Sequence, residues 1–183
     1  MRIIGGRRKG KILLSPADKS VRPTTDRVKE NIYNILQFKI KDAAVLDLFS
    51  GSGAMGIEAL SRGAARVVFC DSSAESANLT AKNLASIGES AEIYNCDYKK
   101  AVEKAVKEKM RFDIAFIDPP YFKDIGEAAV KLLFGSGIMA EEGVAVFEYA
   151  AEDTEAESFL KGTEYSADIR KYGNTKIAFI KKN

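Results

Sequence analysis

The stretch "VLDLFSGSGAMGIEAL", residues 45–60, decides the fold class of this chain. It begins with apolar residues of strand type, continues through Gly51, Gly53 and Gly56, and ends in residues that suit a helix. Glycines in such a turn let the backbone bend tightly and approach a ligand, in front of a helix N-terminus that favours electron-rich groups. The stretch therefore predicts a strand, a ligand-binding loop and a helix in succession.

The same alternation continues along the chain, because apolar runs of strand length are separated by segments of helix length. The predicted strands are 44–48, 65–70, 91–95, 112–117 and 143–148, and the predicted helices are about 54–62, 73–86, 98–109 and 125–134. Continuous apolar strands separated by helices predict a mostly parallel, doubly wound α/β sheet that is covered on both faces. Two strand-like runs around Gly173 and Asn174 predict an antiparallel hairpin at the end.

Length and composition predict one globular domain, residues 1–183, with 46% hydrophobic and 30% charged residues. We find no run of about 18 apolar residues and no apolar leader in "MRIIGGRRKGK", which predicts a soluble, cytoplasmic protein without a membrane partner. The cysteines, Cys70 and Cys96, lack metal-site spacing and are predicted to be buried free thiols. Histidine is absent, so neither imidazole catalysis nor a metal site is predicted.

Positive charge is concentrated in residues 1–41, which carry eleven Lys and Arg against three acids, a net charge of +8. Residues 42–183 carry −6, so the chain as a whole is +2. We interpret 1–41 as a basic extension that docks a polyanion, and 42–183 as the catalytic core. The alternative is that the basic segment is only a solvated, lysine-rich surface.

Acids at predicted strand ends indicate the class of cofactor. Asp71 follows Gly51 by 20 residues, where an acid accepts hydrogen bonds from ribose hydroxyls. A nicotinamide dehydrogenase uses a similar loop, but this chain is short for a second domain, and Asp47 would lie beside a negative pyrophosphate. S-adenosylmethionine has no phosphate and carries an ammonium and a sulfonium, so it fits these acids better. The alternative for Asp47 is a helix-capping or loop-anchoring role.

The stretch "AFIDPPY", residues 115–121, follows the fourth predicted strand, which should neighbour the first across the point where ligands bind in such folds. Pro119 and Pro120 stiffen the loop. The Asp118 carboxylate and the Pro119 carbonyl form a rigid pair of acceptors, which suits a planar amino group, and Tyr121 suits a base taken out of its stack. The stretch therefore predicts a clamp for an exocyclic amine.

The glycine stretch resembles the cofactor loop of Rossmann-like class I S-adenosylmethionine-dependent methyltransferases, and "DPPY" resembles the signature of those that methylate amino nitrogens. "MRIIGGRRKGKILLSP", "RPTTDRVKENIYNIL", "ALSRGAARVVFCD", "FDIAFIDPPY" and "YGNTKIAFI" are similar, in order and spacing, to the RsmD family of 16S ribosomal RNA guanine-N2 methyltransferases. The resemblance covers nearly the whole chain. It implies methyl transfer to a guanine N2 in 16S rRNA, free or within a small-subunit assembly particle, by a monomer.

The candidate site residues fall into three groups. The catalytic residues are predicted to be Asp118, Pro119, Pro120 and Tyr121. The residues that bind S-adenosylmethionine are predicted to be Asp47, Phe49, Gly51, Gly53, Asp71, Asp97 and Tyr98. The RNA contacts are predicted to be Arg7, Arg8, Lys9 and Lys11, on a short strand pair, with Arg22 at the mouth of the site.

Two other functions stay open at this point: a DNA adenine-N6 methyltransferase, and a nucleic-acid-binding module that has lost catalysis. "DPPY" alone is also compatible with protein glutamine methylation, and the N-terminal motif is what narrows the choice. Glu148 is either a supporting acid or a solvent-facing strand end. We assign no role to the acidic segment 150–163, and the sequence does not identify the methylated nucleotide.

Overall fold

A computed structural model describes residues 1–16, 26–120, 124–162 and 165–183. Seven strands form one sheet, in the order β3-β2-β1-β4-β5-β7-β6. The strands are β1 (Ala44–Asp47), β2 (Arg66–Asp71), β3 (Glu92–Asn95), β4 (Phe112–Ile117), β5 (Met139–Ala150), β6 (Tyr165–Tyr172) and β7 (Thr175–Lys182). The helices are α1 (Asp26–Ile35), α2 (Ala54–Ser61), α3 (Ala74–Ser86), α4 (Tyr98–Lys107), α5 (Ile125–Gly135) and α6 (Thr154–Gly162).

Strands β1 to β5 are parallel, as the apolar runs predict. Strand β1 lies between β2 and β4, so the chain reverses its direction of travel across the sheet at β1 and β4. The connections after β1 and β4 lead to opposite faces of the sheet at such a switch point and leave a crevice for ligands. The predicted doubly wound sheet and the predicted adjacency of the first and fourth strands are confirmed.

Helices cover both faces of the sheet. On one face, α4, α5 and α6 pack over a cluster that includes Val68, Ala115 and Phe147. On the other face, α1, α2 and α3 pack over a cluster that includes Phe69 and Phe116. Alternate residues of each strand enter opposite clusters, because successive side chains of a strand point to opposite faces. Burial on both faces explains why the strands read as continuous apolar runs.

The end of the chain is antiparallel, as predicted. Strands β6 and β7 form a hairpin through Gly173, whose φ of 62° is left-handed and suits glycine. Strand β7 lies between β5 and β6, and it pairs with β5 from Ala145 opposite Ile180 to Ala150 opposite Thr175. Strand β5 extends beyond the six predicted residues at both ends, since Met139 pairs with Phe112 of β4, and Tyr149 and Ala150 pair with β7.

The first residues form a small hairpin, which we call the N-terminal arm (residues 1–14). Arg2 bridges antiparallel to Ile12, and the Ile3 N–H donates to the Lys11 carbonyl at 2.9 Å. The turn contains a short 3₁₀ helix, Gly6–Arg8. The prediction that all four arm cations lie on a strand pair is therefore wrong for Arg7 and Arg8, which the 3₁₀ helix carries, and for Lys9, which lies in the turn.

The N-terminal arm is anchored by a buried ion cluster, which consists of Lys29, Glu58 and Arg62. The Glu58 side chain is fully buried, with Lys29 Nζ at 3.5 Å and Arg62 Nε at 2.8 Å. Glu58 also accepts a hydrogen bond from the Ile4 N–H at 2.9 Å, and Lys29 Nζ donates to the Arg2 carbonyl at 2.6 Å. The cluster therefore fastens the arm to helices α1 and α2.

The remaining predictions concern the acidic segment, the start of α1, the cysteines and membrane-spanning helices. Helix α6 was not predicted, and it occupies most of the acidic segment that had no assigned role. The start signals Pro23 to Thr25 lie outside the described residues, and α1 begins at Asp26. Both cysteines are free thiols as predicted, but only Cys70 is buried, since Cys96 is partly exposed. Among the described helices, none has the length and apolar character needed to cross a membrane.

Candidate active site

Four neighbouring strands carry an acid at or near their carboxyl ends, and we call these side chains the acid row. Asp71 ends β2, Asp47 ends β1, Asp118 follows β4, and Glu148 lies near the end of β5. The strands lie in that order in the sheet. Because Ile117 pairs with Phe147, Asp118 comes beside Glu148 at the crevice edge. The row therefore concentrates negative charge where ligands bind in such folds.

Asp47 is the most buried carboxylate of the acid row, with 3% of its surface exposed. Its Oδ2 accepts a hydrogen bond from the Gly56 N–H at 2.9 Å. Burial raises the pKa of Asp47 to about 7, the Gly56 N–H opposes this, and the charge of Asp71 adds to it. Asp47 therefore does cap the first turn of α2, as one alternative had it, and its burial without a cation among these contacts leaves it suited to a cationic ligand.

Asp71 holds the glycine loop from the neighbouring strand. Its Oδ2 accepts from the Gly51 N–H at 2.8 Å, and its Oδ1 accepts from the Ser73 N–H at 2.9 Å. Asn95, at the end of β3, donates to the Asp71 carbonyl at 3.0 Å. The glycine loop and the end of β3 are thus both hydrogen-bonded to Asp71, which fixes its position beside the loop.

The glycine loop is open toward the crevice. Gly51 has a φ of 53°, and a Cβ placed there would meet no other atom within 4 Å. Gly53 has a φ of 78° and packs closely against α3, since a Cβ there would come within 2.9 Å of Thr80 Cγ2. The buried Ser50 Oγ has no hydrogen-bond partner among the residues that the structure describes. Open backbone and an unpartnered hydroxyl fit a polar ligand held against the loop.

Two aromatic residues lie beside this loop. Tyr98 is buried at the start of α4, and its ring centre is 5.6 Å from that of Phe49. Asp97 caps the same helix, because its side chain accepts from the Lys99 N–H at 2.9 Å. The structure thus brings Phe49 and Tyr98 together, as a shared site requires, while the Asp97 carboxylate already has a structural partner.

The predicted amine clamp follows β4 directly. Asp118 is partly exposed, Pro119 is buried and Pro120 is exposed, whereas Tyr121 lies outside the described residues. Desolvation raises the pKa of Asp118 well above its ordinary value, and the charges of Glu148 and then Asp47 add to the effect. A Cβ on Gly126 would come within 3.2 Å of Pro119 Cγ, so the start of α5 packs closely behind this loop.

The arm cations do not all stay free for a partner. Arg7 and Arg8 both reach Glu89, with Nη2 to Oε1 distances of 2.9 and 3.2 Å. Lys9 and Lys11 are exposed, and Arg22 lies outside the described residues. Four cations therefore remain on one small hairpin, but Glu89 offsets part of the charge of two of them.

Sequence reasoning missed several residues that build the site. Thr80 and Asn83 are fully buried polar residues on α3 that contact the glycine loop, and Glu58 anchors the N-terminal arm. A signal was present, since Thr80 and Asn83 lie three apart and therefore share the face that α3 presents to the protein. Polar residues on a buried face need internal partners.

Comparison with known proteins gives one family and several close relatives. The family described as "Conserved hypothetical protein 95" matches residues 1–181. "Putative rRNA methyltransferase YlbH" of Bacillus subtilis is 35% identical over 184 residues, which cover 100% of this chain and 99% of that protein. "Ribosomal RNA small subunit methyltransferase D" of Escherichia coli K12 is 36% identical over 154 residues, which cover 84% of this chain and 76% of that protein.

Solved structures share the fold described above. "Putative methyltransferase yhhF from Escherichia coli" has a TM-score of 0.83 and 30% identity, covering 100% of this chain and 98% of that one. The Thermus thermophilus 16S rRNA N2 G1207 methyltransferase RsmC, solved with AdoMet and guanosine, has a TM-score of 0.71 and 21% identity, covering 89% of this chain and 45% of that one. At that identity the second likeness concerns the fold alone.

Proposed function

The chain belongs to the family described as conserved hypothetical protein 95, the RsmD family, and on this premise we propose that it methylates the N2 amino group of a guanine in 16S ribosomal RNA with S-adenosylmethionine. The observation that carries the proposal is the acid row beside an open glycine loop. Negative charge at that edge suits a cationic cofactor and a hydrogen-donating amine better than it suits a phosphate. The relative from Escherichia coli K12 is named as a methyltransferase of small-subunit ribosomal RNA.

The residues at β1 and β2 fit the cofactor. Asp47 would pair with its ammonium, and Asp71 would accept hydrogen bonds from the ribose hydroxyls. Gly51 and Gly53 let the cofactor approach the backbone, and the neighbouring rings of Phe49 and Tyr98 would flank the adenine, with Asp97 at its edge. S-adenosylmethionine supplies a methyl group that its sulfonium has already activated.

The residues after β4 fit the amine. An aryl amine is a weak nucleophile, so positioning contributes much of the acceleration. The Asp118 carboxylate and the Pro119 carbonyl would each accept one N2 hydrogen and stabilise the positive charge that develops on nitrogen. As the new N–C bond forms, the C–S bond breaks and its electrons stay on sulfur. The amine then loses a proton, and the raised pKa of Asp118 favours this carboxylate as the acceptor.

The remaining elements complete the proposal. Residues 42–183 would form the catalytic core, and residues 1–41 would form the RNA-docking extension of the same domain. The substrate would be 16S rRNA in the cytoplasm, free or within a small-subunit assembly particle, and the enzyme would act as a monomer. Pro120 and Tyr121 would complete the pocket for the flipped base, and Arg22 would lie at its mouth.

A methyltransferase assay tests the function directly. The purified protein is given labelled S-adenosylmethionine with 16S rRNA, small-subunit particles or duplex DNA, and the modified nucleoside is identified by mass spectrometry. We expect N2-methylguanosine in an RNA-containing substrate. N6-methyladenine in DNA would support the adenine methyltransferase instead, and cofactor binding without any methylated product would support the inactive binding module.

The pKa of about 7 at Asp47 predicts that cofactor affinity rises with pH. Below pH 7 the folded protein holds a proton on Asp47, and a neutral carboxyl does not form an ion pair with an ammonium. Each pH unit below the pKa should therefore weaken binding by up to about tenfold. Titration calorimetry at pH 6, 7 and 8 should show this increase, and Asp47→Asn should flatten it. An unchanged slope in the variant would remove Asp47 from the cofactor site.

The same proton sets a trend in stability. The ordinary pKa of an aspartate is 3.8, so the unfolded chain releases its proton at lower pH than the folded protein does. The free energy of unfolding should therefore fall as pH rises from about 4 to about 7, and then level off. Asp118 contributes with the same sign. Denaturant unfolding at pH 5 and pH 7 should show a smaller decline for Asp47→Asn than for the wild-type protein.

The arm cations predict salt-dependent RNA binding. Each phosphate contact releases counterions, so the logarithm of RNA affinity should fall with the logarithm of salt concentration by about one unit per phosphate neutralised. Replacing Arg7, Arg8, Lys9 and Lys11 with alanine should flatten this slope and weaken RNA binding, while cofactor affinity stays unchanged. Filter binding of RNA at several salt concentrations measures the RNA affinity and its salt dependence.

A control variant that loses the same charge elsewhere separates the effect of the arm cations on RNA binding from the effect of net charge. Four exposed lysines elsewhere, Lys107, Lys171, Lys181 and Lys182, can be replaced together. We expect this variant to keep most of the wild-type slope, and the melting temperatures of both variants establish that they are folded. A wild-type slope and affinity in the folded arm variant would mean that another surface binds the RNA.

A further inference from the structure

Asn83 connects the N-terminal arm to the glycine loop. Its side-chain amide is fully buried on α3. Nδ2 donates to the Ser52 carbonyl at 2.8 Å and to the Leu14 carbonyl at 3.1 Å, and Oδ1 accepts from the Leu14 N–H at 2.8 Å. One side chain thus holds the backbone of the cofactor loop and the backbone of the arm together.

A second residue of α3 strengthens this connection. Thr80 lies about one turn before Asn83, is fully buried, and donates from Oγ1 to the Gly51 carbonyl at 3.1 Å. Two successive loop carbonyls, those of Gly51 and Ser52, are therefore held from the same helix. The space is tight, since a Cβ on Gly53 would come within 2.9 Å of Thr80 Cγ2. The loop has little freedom to move without α3.

The N-terminal arm is also hydrogen-bonded to α2, the helix that follows the glycine loop. Glu58 of α2 accepts from the Ile4 N–H at 2.9 Å. Ser61 of α2 accepts from the Arg8 N–H at 2.9 Å and donates to the Gly5 carbonyl at 2.6 Å. Helices α2 and α3 are the two elements that hold the glycine loop, so the arm and the loop share their supports.

We propose that Asn83 is a positioning residue that makes cofactor binding and RNA binding interdependent. The cofactor favours one arrangement of the loop backbone, and that arrangement aligns the Ser52 carbonyl with Asn83. Asn83 then holds Leu14 and with it the Lys11 end of the arm. By thermodynamic linkage, RNA bound to the arm strengthens cofactor binding by the same factor. The RNA half of this inference rests on the function proposed above.

The cofactor half is tested without RNA and without turnover. Asn83→Ala leaves the Ser52 and Leu14 carbonyls without their buried donor. We expect S-adenosylhomocysteine to bind about five- to tenfold more weakly in titration calorimetry, as loss of one such hydrogen bond predicts. Asn78→Ala is the matched control, because Asn78 is an exposed asparagine on the same helix. It should bind like the wild-type protein.

A second variant approaches the same contact from the arm. Leu14→Pro removes the Leu14 N–H that Asn83 accepts, and Leu14→Ala keeps it. Leu14 is half-exposed and belongs to the N-terminal arm, so if the Asn83 contact did not couple arm and loop, proline at this position would leave cofactor affinity unchanged. We expect Leu14→Pro, but not Leu14→Ala, to weaken S-adenosylhomocysteine binding by about threefold. This variant decides the matter if Asn83→Ala does not fold, as judged by its melting curve.

The RNA half is tested by measuring 16S rRNA affinity with and without S-adenosylhomocysteine. In the wild-type protein we expect the cofactor to strengthen RNA binding about fivefold, and in Leu14→Pro to strengthen it less than about twofold. Equal strengthening in both proteins would overturn the proposal, as would wild-type cofactor affinity in both folded variants. A wild-type protein that binds S-adenosylhomocysteine but no rRNA would instead overturn the proposed function, and the calorimetry on Asn83 would still stand.

Discussion

Replacing Asp118 with alanine should lower the rate of methyl transfer by about 100-fold or more, while the affinity for S-adenosylmethionine stays near that of the wild-type protein. The carboxylate is proposed to hold the amine and to stabilise charge that develops only during the reaction, so its loss acts on turnover. Single-turnover methylation of 16S rRNA measures the rate, and titration calorimetry measures the cofactor affinity.

The melting temperature of Asp118→Ala distinguishes a catalytic role from a structural one. If Asp118 mainly stabilised the fold, its replacement would lower the melting temperature. Desolvation and the charge of Glu148 raise the pKa of Asp118, so the ionised carboxylate opposes folding. Its removal should leave the melting temperature unchanged or higher, as is common where a site trades stability for activity. Asp113→Ala is the matched control, because Asp113 lies at the opposite end of β4 and accepts from the Ala44 N–H at 2.8 Å. It should lose some stability and keep its single-turnover rate. Normal turnover in Asp118→Ala would rule out the clamp.

Replacing Glu58 with alanine should lower the free energy of unfolding by about 3–5 kcal/mol, because it leaves Lys29 buried without its carboxylate partner. Lys29 is only 1% exposed, and burial lowers its pKa while Glu58 opposes the shift. The Ile4 N–H also loses its acceptor. For a chain of this length we expect a fall in melting temperature of about 10 °C, measured by calorimetry or circular dichroism.

Two further variants identify the cause of that loss. Glu58→Gln keeps hydrogen-bond acceptors but removes the charge, so it should lie between the wild-type protein and Glu58→Ala. Glu89→Ala removes the partner of Arg7 and Arg8 at the surface, where such pairs contribute about 1 kcal/mol or less. A melting temperature for Glu58→Ala that matches that of Glu89→Ala would mean that the buried ion cluster adds little to stability.

The parts of the fold that sequence could predict are those that depend on local pattern. Residues 45–60 contain a strand, glycines and a helix in one short span, and each leaves a periodic or conformational signature. The acids Asp47, Asp71 and Asp118 could be assigned to one edge because parallel strands share their carboxyl ends. The hairpin at Gly173 has a two-residue turn signal.

The parts that escaped prediction depend on contacts between distant segments. Glu58 reads as one charged residue in a helix, and only the fold places Lys29 and the Ile4 N–H around it. The 3₁₀ helix at Gly6–Arg8 follows from docking on Ser61, more than fifty residues away. The last two residues of β5 were missed because β7, which pairs with them, follows β5 by many residues.

The position of β7 also bears on how the chain is made. Synthesis proceeds from the N-terminus, so β5 emerges from the ribosome before β7 does. Until β7 has been added and has left the tunnel, residues Ala145–Ala150 of β5 have an unpaired edge on the side that β7 later fills. Such an edge can pair with another chain. The nascent protein therefore completes its sheet late, and for that interval it depends on being kept apart from other unfinished chains.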